Sequence, residues 1–203
     1  MTSSNKKQKL DNSTDPAGTS TEKFTFFWQA PSPFSQFHPS KFNAKPLFCT
    51  TPADDEGYTF LHCEQWMMFN KAKLFKDEQS AKMIMETTEP IQCKQLGRKV
   101  GNFDEEIWKR ENERIVLAGN RHKFTQNPDL LDELLKTEGT TLVEASPCDR
   151  LYGIGLGANN PKALDRKTWR GKNLLGEILT RLRKELKDAQ GDLTSGVEQS
   201  NEK

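Results

Sequence analysis

The run CEQWMMFNKAKLF (63–75) constrains this chain most. Its composition is helical, yet Trp66, Met67, Met68 and Phe69 stand side by side, so apolar groups point in every direction around the axis. A helix that is apolar all round belongs inside a fold, not on its surface. Before it come FTFFWQA (24–30), aromatic, β-prone and halted by the proline-bearing PSPFSQFHPS, then LFCT (47–50) and YTFL (58–61), which read as short strands separated by the turn-forming PADDEG. After it, Asp77 is placed to cap DEQSAKMIMET (77–87), Pro90 opens a short helix ending near Gly97, and Asp104 caps a helix with Ile107, Trp108, Ile115 and Val116 on its apolar side. In NPDLLDELLKTEG (127–139), Asn127 caps, Pro128 takes the first helical position and Gly139 terminates. TLVEAS (141–146) is a strand, and NLLGEILTRLRKEL (173–186) stripes Leu175, Ile178, Leu179, Leu182 and Leu186 down one side of a docked final helix. A few short strands and about six helices, not strictly alternating, predict a single compact α+β domain, mainly helical with a small sheet.

Hydrophobic residues make up 33% of the chain and charged ones 29%. Much of the polarity lies in residues 1–22 and 188–203, which hold too little apolar surface to offset chain entropy. These are expected to be disordered tails around a domain of residues 23–187. A net charge of +1 disfavours long nucleic acid as a partner. No apolar stretch is long enough to span a bilayer and no signal-peptide pattern follows Met1, so the expected location is the cytoplasm, with the nucleus left open by NKKQKL (5–10). Cys49, Cys63, Cys93 and Cys148 are scattered, without CxxC spacing or nearby histidines, and no metal or other cofactor is expected.

Candidate functional residues each admit two readings. In LVEASPCDRLYGIG (142–155), Asp149 is either a turn-forming carboxylate or one aimed at a ligand, with Gly153 and Gly155 shaping the turn or letting backbone approach the ligand. Glu64 either complements the N-terminal dipole of its helix or works beside something buried. Lys71 follows two turns later on the same face. Arg98 neutralises a phosphate or pairs on the surface, Trp108 packs or stacks, and Asn173 caps the final helix in either account. His38, His62 and His122 show no ligand spacing. Dinucleotide, P-loop and GxSxG motifs are absent.

FFWQAPSPFSQF, CEQWMMFNKAKLF, LGRKVGNFDEEIW, IVLAGNRHKFTQNPDLLDELLKT, LVEASPCDRLYGIG and WRGKNLLGEIL occur in this order. Together they resemble the NADAR or YbiA-like family over roughly residues 24–187. The resemblance implies a pocket for a ribosyl-phosphate ligand and hydrolysis of an N-glycosidic bond, either in early riboflavin-pathway intermediates or in ADP-ribosylated guanine. It carries the family's acids onto Glu64 and Asp149, and its helix lysine, LGR arginine and following tryptophan onto Lys71, Arg98 and Trp108. Its NxLG asparagine falls on Asn173. Where relatives commonly have tryptophan, this chain has Tyr152, smaller and bearing a hydroxyl.

Breaking a ribosyl C–N bond builds cationic character at the anomeric carbon and requires the nitrogen to take a proton or hold the electrons. Under the resemblance Glu64 activates water and stabilises the cation. Asp149 orients the ribose hydroxyls or assists the leaving amine, Lys71 and Arg98 hold phosphate, Trp108 and Tyr152 frame the base, and Gly153 lets the backbone pass close to the ligand. The expected partner is a small ribosyl-phosphate or ADP-ribosyl molecule. A non-catalytic ADP-ribose or nucleotide-binding module is the reading from another class.

Overall fold

In the computed structural model, Cys63–Leu74 forms α1, and every residue from Cys63 to Lys73 except Lys71 is buried. His62 starts the helix: its Nδ1 accepts from the Gln65 amide at 3.0 Å, and its Nε2 donates to the Thr88 carbonyl at 3.2 Å. That pattern fixes a neutral ring, in keeping with burial pushing its pKa down. The structure describes residues 22–198, with side chains to residue 191. Residues 1–21 and 199–203, which belong to the expected tails, lie outside the described residues.

Three helices wrap α1: α2 (Glu78–Glu86), α3 (Pro90–Gly97) and α4 (Glu105–Gln126). Asp77 and Asp104 cap α2 and α4 by accepting from Ser80 and Ile107 amides. Trp66 explains how closely α4 approaches. Its ring is fully buried, its Nε1 donates to the Ile115 carbonyl at 2.8 Å, and a Cβ at Gly119 would sit only 2.3 Å from it. Burying an aromatic of this kind contributes about 1.5–3 kcal/mol, and any side chain at position 119 would forfeit it. Helix α5 (Pro128–Leu135) follows α4, and α6 (Leu174–Glu198) packs on α4 and on strand β4 (Thr141–Glu144). Helix α6 runs past residue 187, where the sequence reading starts a tail, because Lys, Glu, Asp and Gln there are compatible with helix.

The strands form two separate pairs. β1 (Phe24–Phe27) runs parallel to β4, with Phe24 opposite Thr141 and Phe27 opposite Glu144. β2 (Phe42–Ala44) runs antiparallel to β3 (Tyr58–Phe60). The strand expected over 47–50 does not form. Its place opposite β3 is taken by 42–44, where Phe42 reaches the core and stacks on Phe60 with ring centroids 5.6 Å apart. Asn127 precedes α5 as expected, but its side chain does not cap: its Nδ2 donates to the carbonyls of Lys41 and Lys123.

Because β1 and β4 are parallel, both run out at the same edge. They deliver the loop after Phe27 and the loop after Glu144 to one place, the usual location for a ligand beside parallel strands. The first loop is tied down from α4, where the buried Lys123 Nζ donates to the Ser35 carbonyl at 3.0 Å and Asn120 Nδ2 donates to Gln36 Oε1 at 3.0 Å. Gln36 in turn accepts from the Glu64 amide at 3.0 Å, which joins that loop to the start of α1.

Candidate active site

Glu64 lies in the first turn of α1 and is 2% exposed, and its Oε1 has no hydrogen-bond partner. Burial pushes its carboxyl up to about 7; Lys94 and Arg98 act against that rise and Asp149 adds to it. A carboxyl held near neutral pH can both take and give a proton.

Asp149 is half-buried and feels the same surroundings from the opposite loop. Its Oδ1 accepts from the amides of Leu151 at 2.9 Å and Tyr152 at 2.8 Å, and its own amide donates to Ser146 Oγ. The turn and the pocket readings of Asp149 are thus compatible: one oxygen builds the turn while the charge reaches Glu64. Gly153 and Gly155 serve different ends. Gly155 adopts φ +67, whereas a Cβ at Gly153 would come within 2.9 Å of the Glu144 carbonyl oxygen, so its lack of a side chain lets the turn fold against β4.

Asn173 is fully buried at φ +54. Its Oδ1 accepts from the Glu144 amide at 2.9 Å, its Nδ2 donates to the Leu142 carbonyl at 2.9 Å and its amide donates to the Gly153 carbonyl. Both side-chain amide atoms therefore engage the strand. The residue clasps β4 and the glycine turn to the start of α6.

Tyr152 places its hydroxyl, buried and without a partner, among the acids; burial, then Glu64, Asp149 and Glu144, raise its pKa. Lys71 and Trp108 meet two turns along α1 from Glu64, about 10 Å down the axis. Lys71 Nζ donates to the Gly97 carbonyl at 2.8 Å and lies 5.3 Å from the Trp108 ring and 4.3 Å from that of Phe103. Burial lowers its pKa. Arg98 is exposed at the end of α3 and forms no ion pair with any described residue.

Three residues escaped the sequence reading. Glu144 ends β4, its carbonyl accepts from the Ile154 amide at 3.0 Å, and its Oε2 is buried without a partner. Burial raises its carboxyl to about 8, with Asp149 and Glu64 adding to the shift and Lys94 opposing it. Its one sequence signal was a carboxylate closing an apolar strand, which has no distinct meaning until the fold surrounds it. Lys94 stands one turn before Arg98 on α3 and makes no ion pair among the described residues, so the two cations share a face. Phe103, 45% exposed beside Lys71, gave no periodic signal because it sits in a loop. An open groove of about 330 Å³ lined by Asn43, Lys45, Glu56 and Tyr58 shares no residue with this cluster.

The profile of the NADAR domain matches residues 26–187. The N-glycosidase R617 of Acanthamoeba polyphaga mimivirus is 41% identical over 171 residues, which are 81% of this chain and 97% of that protein. Protein irg-1 of Caenorhabditis elegans is 38% identical over 171 residues, 82% of this chain and 81% of that one. The chloroplastic riboflavin biosynthesis protein PYRR of Zea mays is 25% identical over 186 residues, covering 87% of this chain but 27% of the maize protein. The NMR structure of the Escherichia coli protein YbiA shares the fold, with a TM-score of 0.64 and 23% identity over 85% of this chain and 89% of that one. With the family match spanning its whole folded core, the chain belongs to the NADAR domain family.

Proposed function

We propose that this protein is an N-glycosidase that hydrolyses the C–N bond between ribose 5-phosphate and an aminopyrimidine, as in early riboflavin intermediates. The observation that carries the reading is the buried Glu64 carboxyl, with an unpartnered oxygen, in electrostatic contact with Asp149 and with the cations of α3. Family membership, with a viral relative named as an N-glycosidase, supports the bond class. The maize relative's name supports the riboflavin substrate.

In this reading Glu64 takes the proton of the attacking water and its negative charge faces the developing oxocarbenium ion. Asp149, steadied through Oδ1, orients the ribose hydroxyls. Lys71 and Arg98 hold the phosphate, and Trp108 and Tyr152 frame the base. Gly153 and Asn173 serve the site indirectly, by holding against β4 the turn that carries Asp149 and Tyr152. The exposed Phe103 ring beside Trp108 and Lys71 favours one second reading, in which an ADP-ribosyl group on guanine is removed and the extra aromatic surface receives the larger substrate.

The test is turnover of 5-amino-6-(5-phosphoribosylamino)uracil and of ADP-ribosylated guanosine by wild type and Glu64→Gln, with folding followed by circular dichroism. Cleavage lost in a folded Glu64→Gln protein is expected, and full activity in that variant rules out the assignment. Preference for the guanosine compound selects the second reading. Calorimetric binding of ADP-ribose with no cleavage of either compound would instead make the protein a binding module.

A further inference from the structure

Among the described residues, four buried side-chain oxygens lack any hydrogen-bond partner, and three of them belong to one cluster: Glu64 Oε1, Glu144 Oε2 and Tyr152 Oη. A buried polar atom left unpaired costs about 1–3 kcal/mol, and folded proteins keep few of them. The Glu144 backbone is also tied on both sides. Its amide donates to Asn173 Oδ1 and its carbonyl accepts from the Ile154 amide, and β1 fixes its register opposite Phe27. So much backbone anchoring for a carboxyl that bonds to nothing points to a ligand contact.

Resting on the N-glycosidase reading, we propose that Glu144 is a further catalytic residue, whose carboxyl hands a proton from Oε2 to the departing nitrogen while Glu64 collects the proton of the attacking water. The two acids are placed to divide the work in this direction. Glu64 sits at a helix N-terminus, where backbone amides favour a carboxylate, and feels both Lys94 and Arg98. Glu144 closes a strand, has no such dipole, faces the carboxylates of Asp149 and Glu64 and has Lys94 as its cationic neighbour; the Tyr152 hydroxyl completes its surroundings. Burial raises both carboxyls, so each can hold a proton near neutral pH.

The step balances. Water oxygen bonds to the anomeric carbon as the C–N bond breaks, and the C–N electron pair stays on nitrogen, which takes the proton from Glu144. The water proton passes to Glu64. Afterwards Glu64 returns a proton to Glu144, directly or through solvent, and one water has been consumed to give a free sugar phosphate and an amine.

Two measurements test this. Infrared titration of ligand-free Glu64→Gln, which removes the other raised carboxyl, is expected to show a protonated-carboxyl band near neutral pH that disappears in the Glu64→Gln/Glu144→Gln double variant. The pH profile of kcat on the phosphoribosylamino-uracil is expected to have a basic limb that Glu144→Gln abolishes, with a rate loss of roughly 100-fold or more, and that the proton-bearing Glu144→Asp partly restores. Survival of the band in the double variant overturns the proposal. So does a Glu144→Gln enzyme that keeps the basic limb, whether at full rate or uniformly slowed, since uniform slowing marks a structural role. If the wild type cleaves neither that compound nor ADP-ribosylated guanosine, the glycosidase reading falls, a result distinguishable because the infrared band needs no substrate.

Discussion

At the C-terminal end of α1 Lys73 is 2% exposed, and at the N-terminal end Glu64 is equally hidden, yet their surroundings differ in kind. Lys73 Nζ meets Asp54 Oδ2 at 2.8 Å and Glu78 Oε2 at 2.9 Å. Asp54 also accepts from the amides of Thr50 and Thr51 and from the Tyr58 hydroxyl. Burial alone would raise the Asp54 carboxyl, but these donors, Lys73 first among them, hold it far below the usual carboxylate range. Glu64 has cations nearby but none in hydrogen-bonding contact, and its carboxyl rises instead. Buried charge whose bonds are all made within the chain is architecture. Buried charge with bonds left over is reserved for something that arrives later.

The largest effect that sharpens this contrast comes from the satisfied end. Asp54→Ala leaves a buried ammonium short of its main partner and is expected to cost about 3–5 kcal/mol in urea denaturation. The kcat/KM of the folded fraction should stay near wild type, because position 73 lies nine residues beyond position 64 on α1, about 13 Å away. Loss of catalysis along with stability would break the distinction. At the other end, Asp149→Asn keeps an oxygen to accept the Leu151 and Tyr152 amides but removes the charge, and kcat/KM should fall at least about tenfold, or about 1.4 kcal/mol of barrier. An unchanged kcat/KM would reduce Asp149 to its turn.

Smaller shifts concern the pH dependence of stability. Between the ordinary carboxylate value of 4.5 and about 7 for Glu64, or about 8 for Glu144, the folded protein holds protons that the unfolded chain releases. Stability should therefore decline as pH rises through that window. Glu64→Gln removes its share, so thermal melting above about pH 8 should shift upward, by about 2–4 °C for each kcal/mol relieved, while the wild type and the variant converge near pH 4.5. A variant less stable than wild type at high pH would mean that the carboxylate is compensated. The smallest change is expected for Tyr152→Phe, which discards a hydroxyl that bonds to nothing within the chain; its melting temperature should move by no more than about 2–4 °C.

What could be read from the sequence followed the range of the interactions involved. Asp77 and Asp104 were legible as caps because each bond closes within three residues. The run from Trp66 to Phe69 announced the burial of α1. Strand 42–44 was not legible, since its pairing with β3 and its seat for Phe42 are set by the fold, and the run LFCT looked better by propensity alone. The segment 52–57 was legible only as a turn, although Pro52–Asp55 forms a 3-10 turn that seats Asp54 on Lys73, a partner supplied by a distant helix. At the site, Glu64, Asp149 and Arg98 stood out through resemblance, and folding brings their charges together. Glu144 did not stand out, because a carboxylate at a strand end gains meaning only once Asn173 and Asp149 are seen to close around it.

The parallel pairing of β1 with β4, locked by Asn173, also sets a timetable for the newborn polypeptide. Helix α1 leaves the ribosome early, but the edge that receives its acid is missing until residue 173 has been translated. At about 5–20 residues per second, the 99 residues from 75 to 173 take roughly 5–20 s to make. Throughout that interval a helix apolar on every side has no finished domain to enter, which makes the nascent chain a natural client for chaperones.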